Sequence, residues 1–319
     1  MVKLQDIAKA AGVSVSTVSN VLNGRKNVGE DTARKIMQLV DEMGYEPNAV
    51  GKALKSGHSK TILFIFSDFD RKFYLDIIHG IDDYANANDY DFILCTSKSY
   101  EKFINKSLTC GSIVLDIRCS DEFIKKKAAR GYQIVTLDRA LNIPNVKGVL
   151  VNNYSAECEL VEGLIKKGYK KFAFLGGLPS ADTRERFDAF KDTLAKHGIP
   201  FRKDDYYAGD FREKSGYRTA RLIMLSERMP EVLVCASDSM AIGALKAFRE
   251  ADINVPEDIA VCGFDDTTLA SEYKLTTVSV PNYERGYLAA QNLVENVNGA
   301  GNYDTFMITA QVKWRETTR

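Results

Sequence analysis

The sequence predicts an α/β protein of two lobes, each an open and mostly parallel sheet with helices on both faces, preceded by a small all-α unit. Three observations predict it. Apolar residues recur at helical spacing in three short segments before residue 45. From Thr61 onward, apolar runs of strand length alternate with helical patterns, which is the order of a parallel sheet. That alternation then occurs a second time. At 319 residues the chain is too long for one small core and long enough for two or three domains.

The first helical segment places Leu4, Ile7, Ala8 and Ala11 on one face and stops at Gly12. The second spaces Val15, Val18, Val21 and Leu22 and stops at Asn23-Gly24. The third runs from Glu30 to Met43, turns Ala33, Ile36, Met37 and Val40 inward, and ends at Gly44. Residues 1–46 therefore form one compact head. Pro47 bars a simple continuation of the helix, and the segment 47–60 reads as a linker with helical spacing at Val50 and Leu54. In the first α/β set the strand runs are "TILFIF", "DFILCT", "SIVLDI", "YQIVTLD" and "GVLVNN", with helical patterns in "FYLDIIHGIDDYANAND" and "DEFIKKKAARG". The second set has "KFAFLGG", "DDYYAGDF", "VLVCASD" and "IAVCGFDD", separated by "RERFDAFKDTLAKHG", "SGYRTARLIMLSE" and "SMAIGALKAFREAD". No linker rich in Gly, Ser or Pro separates the sets, so short crossovers should tie them around a cleft. The carboxyl ends of the strands should face that cleft, where ligands of open parallel sheets bind.

Composition excludes more than it selects. Basic and acidic residues number 43 each, but residues 1–60 hold nine basic against six acidic, a surplus in the segment with the most suggestive motif. The six cysteines have no Cys-x-x-Cys spacing and mostly sit in apolar runs, which suits buried thiols in a cytoplasmic protein. Charges at Lys3, Asp6 and Lys9 break up any apolar core of a signal peptide, and no run approaches membrane-spanning length. A cytoplasmic location is expected. No metal-ligand cluster appears and no cofactor is expected. An enzyme is disfavoured: "GGLPSAD" lacks the Gly-Lys-Ser/Thr of a phosphate-binding loop, and no Gly-x-Ser-x-Gly elbow occurs.

In the head, Gly12 permits a tight turn and Ser14 can cap the helix that follows. Val18, Val21 and Leu22 anchor that helix inward, leaving Val15, Ser16, Thr17, Ser19 and Asn20 on its early and outer surface. Small hydroxyl and amide groups let a helix approach a phosphate backbone, while residues near its start reach base edges in the major groove. A polar surface helix in an ordinary bundle is the competing reading.

The segments "LQDIAKAAGVSVSTVSNVLNG" and "GYEPNAVGKALKSG", with "FYLDIIHGI", "TLDR", "SDSMAIGALKAFREADINVPEDIAVCGFDD" and "LTTVSVPNYERG" further on, resemble the LacI/GalR family of bacterial repressors over essentially the whole chain. The resemblance implies a helix-turn-helix head and a periplasmic-binding-protein-like effector domain over 61–319. Lobe 1 would span about 61–152 and 282–306, and lobe 2 about 153–281 and 307–319. Val15, Ser16 and Asn20 would read bases, with Thr17, Ser19 and Asn23 nearer phosphates and Ser14, the cap, counted with the DNA-binding set. Asn48, Gly51 and Leu54 would belong to a hinge helix in 47–60, the leucine wedging into the minor groove. Two departures matter. Asn20 stands where Arg is common, and Asn suits adenine where Arg suits guanine; Gly51 stands where Ala is common, which costs about 0.5–1 kcal/mol in a helix.

Polar residues at the strand ends are Asp68 and Asp70, Asp138 and Arg139, Ser237 and Asp238, and Asp265 and Asp266. By resemblance, Asp138, Arg186, Ser237 and Asp265 contact an effector between the aromatic walls Phe73 and Phe211, and Asp68, at its strand end, is counted with the effector-binding set. Carboxylates and a guanidinium between aromatic faces suit a sugar, whose ring has polar edges and an apolar face. Asp238 and Asp266 read better as caps and loop holders. Arg184 competes with Arg186, and Tyr74 competes with Phe73. The function implied is a repressor that binds a palindromic operator as a homodimer, with the "FYLDIIHGIDDYANA" helix in the subunit interface. A global regulator with a phosphoprotein corepressor and a sugar receptor without DNA activity are the alternatives.

Overall fold

The computed structural model describes residues 2–22, 24–25, 27–45, 59–67, 69, 71–301 and 305–319. It divides into two units, Met1–Gly57 and His58–Arg319. In the first, helices α1 (Leu4–Ala11), α2 (Val15–Leu22) and α3 (Glu30–Glu42) enclose Ile7, Ala8, Ala11, Val18, Ile36 and Val40. Gly12 ends α1 at φ 72°, a left-handed conformation open to glycine at little cost. Met37, expected inward, is 44% exposed. The inward stripe of α3 runs through Ile36, Leu39, Val40 and Met43, and Met37 lies about 100° around the helix from Ile36.

The second unit opens with β1 (Thr61–Phe66), α4 (Tyr74–Ala87), β2 (Asp91–Thr96), α5 (Tyr100–Phe103), β3 (Gly111–Leu115), α6 (Asp121–Ala128), β4 (Gln133–Thr136) and β5 (Val146–Val151). It continues with α7 (Asn153–Lys166), β6 (Phe172–Gly176), α8 (Ala181–Lys196), β7 (Tyr206–Ala208), α9 (Glu213–Met224) and β8 (Val232–Cys235). Next come α10 (Asp238–Glu250), β9 (Ala260–Asp265), α11 (Thr268–Glu272) and β10 (Thr276–Ser279), then α12 (Asn282–Val297), β11 (Phe306–Ile308) and β12 (Gln311–Lys313). The first sheet has the order β11-β5-β4-β3-β1-β2 and is wholly parallel. The second has the order β12-β10-β9-β8-β6-β7, parallel except where β12 runs against β10.

Alternation along β1 shows why such strands read as unbroken apolar runs. Ile62, Phe64 and Phe66 face α4 and α12, while Leu63 and Ile65 face a second cluster containing Ile124, Ile134 and Tyr100. The second lobe is filled by one continuous cluster on β6, β8 and β9. Strands β10 to β12 and helices α7 and α12 are absent from the alternating runs recognised in the sequence; the strands have only three or four residues each.

Two boundaries shift. Ser59 and Lys60, assigned to the linker, pack on the first lobe: Ser59 Oγ donates to the Leu108 carbonyl at 2.8 Å, and Lys60 pairs with Asp89 at 2.7 Å. Met307 and Ile308 pair with Leu150 and Val151 in the first sheet, so the last crossover falls between Ile308 and Gln311, later than residue 306. No helix among the described residues is long and apolar enough to cross a membrane.

Candidate functional site

The start of α2 is organised by one hydroxyl. Ser14 Oγ accepts from the Thr17 N–H at 3.1 Å and lies 2.7 Å from Ser16 Oγ and 2.8 Å from Thr17 Oγ1. It therefore caps the helix and gathers two further hydroxyls at its first turn. Val15 is 37% exposed beside them, an apolar side chain on a polar surface, whereas Val18 is fully buried. Ser19 and Asn20 are half-buried one turn on. Asn23, Asn48, Gly51 and Leu54 lie outside the described residues, as does Asp68.

The strand ends of both sheets meet at a cleft in the second unit. Phe73, Asp138, Arg186, Phe211, Ser237 and Asp265 all line it. Tyr74 is the inward member of its pair, buried and bonded through its hydroxyl to Ser67 Oγ at 2.8 Å, while Phe73 stays half-buried against it. Arg184 is exposed on α8, whereas Arg186, two positions on, is buried. Its Nε donates to Asn153 Oδ1 at 2.9 Å and its Nη1 to the Ala236 carbonyl at 2.6 Å, with the guanidinium carbon 3.4 Å from the centre of the Phe264 ring. Asn153 in turn donates to Asp182 Oδ1 at 2.9 Å, so its amide is locked in one orientation. Among the described residues, Nη2 of Arg186 makes no hydrogen bond and remains available to a ligand.

Two cleft residues carry backbone strain. Phe211 has φ 64° and Asp265 φ 112°, conformations that side-chain-bearing residues rarely adopt. Phe211 has a made seat: a methyl placed on Gly177 would come 2.0 Å from its ring. Ser237 caps α10 by accepting the Met240 N–H at 3.4 Å. Asp138 receives both Nε and Nη2 of Arg139, at 2.9 and 2.8 Å, so its carboxylate already holds a two-pronged partner.

Charge in the cleft follows from burial. Burial raises the Asp265 carboxyl to about 6, against the opposing pull of Arg186, Arg71 and Arg285. Asp238 is pushed up to about 8 by burial and by the negative charge of Asp265. It accepts from the Thr267 N–H at 2.7 Å and the Thr277 hydroxyl at 2.5 Å, which ties α10 to β10 and the loop after β9. Asp266 pairs with Arg315 at 2.7 Å. Both aspartates thus hold loops.

Several cleft residues escaped sequence reading: Arg71, Asp116, Arg118, Asp182 and Arg285. Arg285 is buried at the start of α12, and burial lowers its pKa. A lone arginine in "VPNYERGYLAA" was its only signal.

The sequence pattern of bacterial regulatory proteins of the lacI family matches residues 3–48, and that of the periplasmic binding protein-like domain matches residues 161–318. The chain is 31% identical over 306 residues to the HTH-type transcriptional regulator RegA of Clostridium saccharobutylicum, covering 92% of each chain. It is 28% identical over 308 residues to catabolite control protein A of Priestia megaterium, covering 93% of each. Among solved structures, a sugar-binding transcriptional regulator (LacI family) from Enterococcus faecalis matches with a TM-score of 0.76 and 28% identity, over 82% of this chain and 98% of that one. These relatives are regulators, not enzymes. A lacI-type head, a periplasmic-binding-protein-like body and full-length relatives together place this chain in the LacI family of DNA-binding transcriptional regulators.

Proposed function

We propose that the protein is a cytoplasmic repressor that binds a palindromic operator as a homodimer and is controlled by a sugar in the cleft. The observation that carries this reading is the convergence of Phe73, Asp138, Arg186, Phe211, Ser237 and Asp265, drawn from separate segments of both lobes, on one cavity. Their mix of aromatic and polar groups is the kind that holds a polyhydroxylated ring. The similarity to a regulator described as sugar-binding supports the same ligand class.

Helix α2 has eight residues, about 12 Å of helix, and reads too few bases alone. Two heads related by symmetry double the contact. Val15, Ser16 and Asn20 are assigned to bases and Ser14, Thr17 and Ser19 to phosphates, with Asn23, Asn48, Gly51 and Leu54 completing the set from outside the described residues. Leu75, 55% exposed on α4, is available for a subunit contact. A ligand that prefers one arrangement of the lobes shifts operator affinity; couplings of about 1–3 kcal/mol, roughly 5–150-fold, are usual.

Selection of bound duplexes from a random pool tests the reading. Inverted repeats bound by two subunits are expected, with affinity that changes when a hexose or pentose is added. Enrichment of asymmetric sites occupied by one subunit would remove the dimer. Operator binding indifferent to every sugar tested would remove the sugar.

A further inference from the structure

Four guanidinium groups, from Arg71, Arg118, Arg186 and Arg285, line the cleft, and among the described residues none forms an ion pair. Arg285 is buried and gives its donors to the carbonyls of Val149 and Leu137 and to Asn282 Oδ1, all uncharged acceptors. Arg186 is 7% exposed and likewise bonds only to an amide and a carbonyl. Arg71 lies with its guanidinium carbon 4.3 Å from the centre of the Phe211 ring. Arg118 has a single long contact, Nη1 to Ser97 Oγ at 3.4 Å.

The carboxylates do not balance them. Asp138 is taken up by Arg139, and Asp116 accepts the Ser97 hydroxyl at 2.5 Å and the Arg118 N–H at 3.0 Å. Among the described lining residues, Asp116, Asp182 and Asp265, which hold no ion pair, are left to face four cations. For Arg186 and Arg285, the two buried ones, a cation without a counter-ion is costly, and all four guanidinium groups present a planar fork that matches an oxyanion.

We infer that the effector carries an anionic group, the carboxylate of a sugar acid or the phosphate of a sugar phosphate, received by Arg71 and Arg118 of the first lobe and the free Nη2 edge of Arg186. The inference rests on the reading of the cleft as the effector site. The sugar ring lies against Phe73 and Phe211, and the anion sits between the lobes, so its charge draws Arg71 and Arg118 toward Arg186. The same contact that selects the ligand then closes the cleft.

Thermal shift and calorimetry on the full chain, at constant ionic strength and pH, test it with seven probes. These are inorganic phosphate, D-glucose, D-galactose, their 6-phosphates, D-glucuronate and D-galacturonate. Inorganic phosphate and at least one anionic sugar should raise Tm in a saturable way, with the neutral parent sugar at least tenfold weaker. Activity of the phosphates without the uronates identifies a phosphate as the group; the reverse identifies a carboxylate. Arg71→Gln with Arg118→Gln should weaken the anion at least tenfold while the unliganded Tm stays in place. Arg118→Gln alone, at an exposed position, gives the same direction should the double variant fold poorly. A neutral sugar that binds while every anion is inert overturns this inference and leaves the effector cleft standing. Inertness of all seven probes overturns this inference, and anion binding unchanged in Arg118→Gln and in the double variant removes these arginines.

Discussion

In the first lobe, α4 and α12 meet where a methyl on Gly80 would come 2.0 Å from the Tyr283 carbonyl oxygen and one on Gly286 2.1 Å from that of Ile77. In the second, α9 and α10 meet in the same way, Gly216 against the Met240 carbonyl at 1.8 Å and Gly243 against that of Glu213 at 2.0 Å. Both lobes thus bring two helices to backbone contact through a reciprocal pair of glycines. They part company over buried charge. The first lobe neutralises Asp138 with the neighbouring Arg139, which also reaches Asp121 at 3.0 Å and the Asp116 and Cys119 carbonyls. The second buries Asp238 on hydrogen bonds alone and leaves Glu157 Oε1 without one. Packing tolerates one solution on both sides of the cleft, whereas electrostatics depends on which residues each strand end carries.

The largest effect should come from breaking the first lobe's ion pair. Arg139→Ala leaves Asp138 buried and unpaired, and is expected to cost about 3–5 kcal/mol, read by chemical denaturation. Adding Asp138→Asn should recover part of the loss; no recovery would mean that Arg139 acts through its carbonyl contacts.

Gly286→Ala and Gly216→Ala should each cost about 3 kcal/mol by overpacking. Comparable losses in the two lobes would support the shared device. A loss confined to one would show that the other helix pair can slide apart.

Next, Asp265→Asn should weaken effector binding roughly 10–100-fold, the range for a hydrogen bond to a charged group at about 1.5–3 kcal/mol. Operator affinity without effector should stay unchanged. Calorimetry and operator titration separate the two, and unchanged effector affinity would take Asp265 out of the site.

The last effect is spread over pH, so that it is small at any one pH step. Burial raises Glu157 from 4.5 to about 8, against the pull of Arg186. The folded state therefore holds a proton that the unfolded state has released between those values. The stability from this group is full below pH 4.5 and is lost as pH rises toward 8, at most about 1.4 kcal/mol per pH unit. Relative to Glu157→Gln, the wild type should lose stability over that range and level off above it. A pH-independent difference in Tm between them would mean that Glu157 stays ionised in the fold.

Local spacing was enough to mark the three head helices, the strand β1 and the α/β alternation, because helix and strand periods are written into neighbouring residues. Ser14 was legible as a cap and Arg186, Asp265 and Phe211 as cleft residues, the last three through motif resemblance. Which of Arg184 and Arg186 lines the cleft depends on the turn of α8 against β8 and β9, which buries Arg186 on Phe264 and leaves Arg184 exposed. Periodicity alone could not supply the positive φ of Phe211, the exposure of Met37 or the late crossover after Ile308. Each depends on a partner far along the chain: Gly177 for the ring, the α1 and α2 faces for α3, and β5 for β11. The balance of cations and carboxylates in the cleft is of the same kind. The sequence contains equal numbers of each sign, and only the tertiary structure decides which carboxylates are already occupied and which guanidinium groups still face the cavity, because pairing is a matter of distance in space.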